Sequence, residues 1–132
     1  ELSDEEPVIG VSHAGRHRAY RIAALSTMSA HVVNDLIEQS PVTVTYCDRT
    51  DCCRVLTGDS PGEPLEVETG GFHHGLMLKY GNRFFSQSAS EFVDPAGGTI
   101  PLSDFPFVRT TWGKWRESHP DTDVFVERTE RP

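Results

Sequence analysis

Turn-forming residues interrupt this sequence so often that most of it has room only for short strands. Eleven glycines and nine prolines are spread over 132 residues. Between them stand brief runs in which apolar and polar side chains alternate, the pattern of a strand with one buried face. Val8-Ile9-Gly10-Val11 and Arg18-Ala19-Tyr20-Arg21-Ile22 flank Ala14-Gly15 and read as a hairpin. Pro41-Val42-Thr43-Val44-Thr45-Tyr46 alternates apolar and hydroxyl side chains, which suits a strand. Leu76–Tyr80 and Arg83–Gln87 flank Gly81-Asn82, a second hairpin signal. Shorter strands are expected at 54–57, 65–68, 108–110 and 124–126, while 88–104 reads as loop.

Two segments depart from that rhythm. Over about 26–38, Leu25, Met28, Val32, Leu36, Val33 and Ile37 recur at three- and four-residue spacing, which predicts a helix started by Ser26 or Thr27 and stopped at Ser40-Pro41. Thr111 can cap a second, short helix near 112–118, ended by His119-Pro120. The expected fold class is therefore α+β. A flexible acidic lead-in at 1–6 would precede one sheet-rich domain over 7–132, a curled antiparallel sheet around the main helix.

Charge narrows the function classes. Twelve Lys and Arg stand against twenty Asp and Glu, a net charge of −8. With no basic stripe, the chain is not built to neutralise a phosphate backbone, so nucleic acid is not an expected partner. No run approaches the 18 or so apolar residues of a membrane span.

Chemistry concentrates at the cysteines. Cys47, Cys52 and Cys53 are the only three in the chain, and the predicted strand delivers Cys47 at its C-terminal end. An odd count means that one sulfur is a thiol, is bound to something, or is paired between chains. Backbone N–H groups and the nearby Arg49 and Arg54 would lower a thiol pKa here, while Asp48 and Asp51 would oppose them. Histidines add nitrogen: His31, the His73-His74 pair and His119. A soft site of thiolates and imidazoles suits copper or zinc, with Cys47, Cys52, Cys53, His31 and His73 as candidate ligands. The paired-ligand spacing of common zinc motifs is absent. On the predicted helix His31 shares a face with Asn34 and Asp35. If that face met the cysteine loop, Cys47 could be a nucleophile, His31 its base, and Asn34 or Asp35 the orienting group.

The order of landmarks resembles the domain of unknown function 3179 family. The residues concerned are Pro7-Val8-Ile9-Gly10-Val11 with Arg18-Ala19-Tyr20, then Val33-Asn34-Asp35, Pro41-Val42 and Val44-Thr45-Tyr46-Cys47. Ser86-Gln87 and the closing Thr110-Thr111-Trp112-Gly113-x-Trp115 with His119-Pro120-Asp121-Thr122 continue it, so the resemblance spans about 7–126. It implies an exported or lipid-anchored bacterial or archaeal setting, extracytoplasmic (periplasmic or secreted), and brings no established activity. The family's Tyr-Cys-Pro-x-Cys becomes Tyr46-Cys47-Asp48-Arg49-Thr50-Asp51-Cys52 here, its helical histidine position is Ala30, and the Trp of its Trp-x-Gln is Phe85.

Three readings stay open. The first is an exported binding or redox module with a thiol-centred site at Cys47, with or without copper or zinc. The second is a non-catalytic accessory domain of a larger exported assembly, its cysteine loop closed by a structural disulfide. The third is an enzyme with Cys47 as nucleophile and His31 as base.

Overall fold

The computed structural model describes residues 2–26, 30–72, 75–88 and 100–125. Its contacts fall into two compact units, Glu1–Ala23 with Phe107–Pro132, and Ala24–Pro106.

In the first unit, strands β1 (Pro7–His13) and β2 (Arg16–Arg21) form the expected hairpin. Its two-residue turn places both Ala14 (φ 52°) and Gly15 (φ 80°) in the left-handed region, the turn whose twist matches that of the strands. The expected strand near 108–110 pairs with β1, and that near 124–126 runs parallel to β2 over Asp123–Val124. The short helix is also present, as α1 (Trp112–Ser118), with the Thr111 hydroxyl accepting the Lys114 N–H. Its purpose is packing. Trp115 is buried on Gly10, so closely that a Cβ at position 10 would sit 2.4 Å from the indole. The Trp115 indole N–H donates to the Thr122 hydroxyl at 2.7 Å, and His119 stands 4.3 Å from the Trp115 ring. The closing Trp and His-Pro-Asp-Thr residues thus lock a helix onto a sheet. The first residues join the same unit: Asp4 and Glu6 offer carbonyls to the N–H groups of Gly113 and Trp112.

The second unit carries two sheets. One has the order β3 (Val32–Ile37), β4 (Ser40–Cys47), β5 (Cys52–Thr57), β9 (Ser103–Asp104). The other consists of β6 (Glu68–Phe72), β7 (Leu76–Tyr80) and β8 (Arg83–Ser86). The Gly81-Asn82 turn between β7 and β8 again has two positive φ angles, 61° and 66°. Between the sheets lies a core of Cys47, Leu56, Val67, Leu76, Leu78, Phe85 and Ile100.

The expected main helix over 26–38 is overturned. Residues 27–29 lie outside the described residues, and Val32–Ile37 is a strand paired to β4 along its whole length. The doublets Val32-Val33 and Leu36-Ile37 satisfy a helical spacing, but three of those four residues are β-branched and favour a pleated surface. Asn34 and Asp35 between them are weak helix formers. Glu38 and Gln39 then turn the chain with φ of 47° and 74°, a hairpin made without glycine. With that helix gone the α+β class goes too: the described residues are mostly strand, arranged in three sheets rather than one curled sheet, and α1 is their one α-helix.

Candidate functional site

Strands β4 and β5 bring the cysteines together through their register. Cys47 stands directly opposite Cys52, and Tyr46 opposite Cys53. Because side chains alternate across a strand, Cys47 and Cys52 share the face turned to the core, and Cys53 belongs to the opposite face with Tyr46. All three are thiols. The connecting residues Asp48, Arg49, Thr50 and Asp51 are exposed. Asp51 takes a left-handed φ of 56°, and the Tyr46 hydroxyl donates to its carboxylate at 2.8 Å.

The Cys47 side chain is fully buried. Burial pushes its thiol pKa up, yet the hydrogen bonds around the sulfur outweigh that and leave it below an ordinary thiol. The donors are the Thr50 hydroxyl and the backbone N–H groups of Thr50, Arg49 and Leu76. Donors aimed at an anionic sulfur stabilise the thiolate over the thiol. Cys47 thus has a cradle for negative charge, made by its own loop and by the first residue of β7.

His31 reaches this loop, although from no helix. Its backbone carbonyl accepts the Tyr46 N–H, and its buried ring is held at Nδ1 by the Leu25 carbonyl at 2.9 Å. A carbonyl only accepts, so Nδ1 carries the proton. Nε2 faces Asp48 Oδ1 at 3.6 Å. Phe72 packs edge-on against the imidazole and stacks beneath the Arg49 guanidinium at 4.1 Å.

Asn34 and Asp35 do not join it, and the helix face that would have grouped them with His31 does not exist. Asn34 pairs with Thr43, four residues from Cys47 along β4, roughly 13 Å at strand rise. Its amide donates to the Val67 carbonyl at 2.9 Å and accepts the Val67 N–H and the Thr43 hydroxyl. Asn34 therefore clips the segment before β6 to the sheet. Asp35 accepts the N–H of Leu36. His73 lies outside the described residues. Among the described residues no group of three His, Cys, Asp or Glu side chains is arranged to hold a metal ion.

One site residue carries no chemical signal in the sequence. Gln87 is 2% exposed, and its amide donates to the Thr45 hydroxyl and to the Cys52 carbonyl, both at 2.9 Å. Its backbone carbonyl accepts from Arg54, whose guanidinium also binds Asp104 at 2.8 Å. Sequence reading marks Gln87 only as a landmark of the family resemblance; its partners are up to 42 positions away.

No helix among the described residues is long and apolar enough to cross a membrane. No curated protein and no solved structure matches the chain. A family model does match, over residues 1–132: the chain belongs to the family described as Protein of unknown function (DUF3179).

Proposed function

We propose that this chain is a small thiol-centred redox module in which Cys47 and Cys52 form the reactive pair. The observation that carries this reading is a buried thiolate cradle at Cys47 with a second thiol directly across the hairpin. Directly opposed antiparallel residues have Cα atoms about 4.5–5.5 Å apart, within the range of roughly 4.4–6.8 Å that a disulfide spans.

Exposure divides the labour. Cys52 is partly exposed and Cys47 is not, so an incoming disulfide meets Cys52 first. The Cys52 thiolate attacks one sulfur of that disulfide, whose S–S bond breaks and whose other half leaves as a thiolate. Cys47 then attacks the Cys52 sulfur of the mixed disulfide, forming the Cys47–Cys52 bond and expelling the second half. Two electrons pass from the pair to the incomer, which takes up two protons and ends as two thiols. In the reverse direction a thiol attacks Cys52, and Cys47 leaves as a thiolate into its cradle. Stabilising that leaving group favours the reduced pair and makes the bridge more oxidising. An extracytoplasmic setting, beside other domains of an exported assembly, suits this chemistry.

Trapping tests the proposal. In Cys47→Ser, glutathione disulfide should leave one glutathione on Cys52, located by peptide mapping, while the wild-type chain clears the adduct by forming Cys47–Cys52. A persistent Cys52 adduct in the wild type, or none in the variant, contradicts it. The N–H donors around Cys47 also suit a metal-bound thiolate, and that is the second reading. Near-stoichiometric copper or zinc in elemental mass spectrometry, lost in Cys47→Ser, would favour it, with Cys52 and His73 as the next ligands to test.

A further inference from the structure

We infer that Gln87 is a positioning residue that sets the redox poise of the Cys47–Cys52 pair; the inference rests on the dithiol reading above. The Gln87 amide hydrogen-bonds to the Cys52 carbonyl and the Thr45 hydroxyl rather than to a sulfur. It acts on the backbone that carries each sulfur.

On the Cys52 side, the Gln87 amide nitrogen donates to the Cys52 carbonyl and the Thr45 hydroxyl. The amide orientation is fixed by its surroundings, since the Cys52 carbonyl can only accept and the Thr45 hydroxyl spends its own proton on the Arg54 carbonyl. Both amide protons are thereby used, and β5 is pinned to β4 beside the cysteine pair. On the Cys47 side, the Gln87 backbone N–H holds the Leu76 carbonyl at 2.9 Å, and the N–H of Leu76 is one of the Cys47 donors. A single buried residue therefore grips both halves of the site.

The two grips are separable. Substituting the side chain removes the amide bonds to Cys52 and Thr45 but keeps the backbone bond to Leu76. Freed of its clamp, Cys52 loses alignment with Cys47, and the effective concentration of one thiol at the other falls. The bridge then becomes easier to reduce, while the Cys47 cradle stays intact.

The experiment is a glutathione redox titration of reduced and oxidised protein, read as the fraction bridged between Cys47 and Cys52 by peptide mapping. Two electrons and two protons leave the pair, and glutathione disulfide takes them up to become two thiols. Gln87→Met should lower the bridging constant about tenfold, a rise of about 30 mV in midpoint. Gln87→Glu, of the same size, sets an acceptor against the Cys52 carbonyl and should move the midpoint the same way. Asn34→Ala removes an amide of the same sheet that does not touch the pair; it should lower stability and leave the midpoint in place. A Gln87 variant that folds, by circular dichroism, and titrates with the wild-type midpoint overturns the inference alone. A wild-type chain that forms no Cys47–Cys52 bridge overturns the dithiol reading and the inference with it.

Discussion

The backbone of Leu76 is among the groups that lower the Cys47 thiol pKa, so a thiol at the end of one sheet is tuned by the first residue of a strand in another. Leu76 and Cys47 also belong to one buried cluster. Excluding water raises the thiol pKa, and the hydrogen bonds around the sulfur outweigh that rise.

Removing one donor should raise it again. Thr50→Val keeps the shape of the side chain and the backbone N–H but deletes the hydroxyl that bonds the sulfur. The pH midpoint of the Cys47 thiolate, followed by its ultraviolet absorbance in a Cys52→Ser, Cys53→Ser background, should rise toward that of an ordinary thiol. An unchanged midpoint would mean that the hydroxyl does not act on the sulfur.

The same cradle makes stability depend on pH. The Cys47 thiol has a lower pKa in the fold than in the unfolded chain. Its contribution is therefore fully present above the unfolded thiol value of about 8.5 and is lost as pH falls through the folded value. In reducing buffer, the urea midpoint of the wild type relative to Cys47→Ser should grow as pH rises from neutrality toward that value. A flat difference across the window would contradict the direction of the shift.

We expect His31 to support the loop rather than to act as the base for Cys47. The groups that lower the thiol belong to Thr50, Arg49 and Leu76, whereas the His31 ring spans the Leu25 carbonyl and Asp48. His31→Leu leaves the Leu25 carbonyl buried without its donor, which should cost about 1–3 kcal/mol in urea unfolding. The Cys47 thiolate midpoint, read by ultraviolet absorbance, should stay where it is. A marked rise would restore His31 as a catalytic base.

In the first unit, Gly10 and Trp115 leave no room between them. Gly10→Ala places a methyl group 2.4 Å from indole carbons, and overpacking of this kind should lower stability by about 2 kcal/mol. Thermal or urea unfolding reads the loss directly; a variant as stable as the wild type would show that the indole shifts freely.

Local chemistry made part of this structure legible. Glycine marked the turns at Ala14-Gly15 and Gly81-Asn82, and Thr111 marked the start of α1, because each signal lies within a few residues of the feature it controls. The strand ending at Cys47 was readable from its alternating valines and threonines for the same reason. The stretch around Val32–Ile37 was not, since paired apolar residues fit both periods and only pairing with β4 decides between them. The turn at Glu38-Gln39 lacks the glycine that would have announced it.

The candidate site divides along the same line. Cys47, Cys52 and His31 stood out by residue type, and the register of one hairpin sets Cys47 against Cys52. The features that act on those residues come from far along the chain: the Leu76 donor, the Gln87 amide, and the Leu25 carbonyl that orients His31. Asn34 shows the reverse case, a polar residue that reads as chemistry and whose hydrogen bonds go to the Val67 backbone.

The most direct test of the account is to equilibrate the wild-type chain in glutathione buffers of graded poise, quench with acid, and map every disulfide by mass spectrometry. The account predicts one reversible two-electron transition, with Cys47 bridged to Cys52 and Cys53 left as a thiol or glutathione adduct. A chain that stays reduced at every poise, or one whose bridge always includes Cys53, would contradict it.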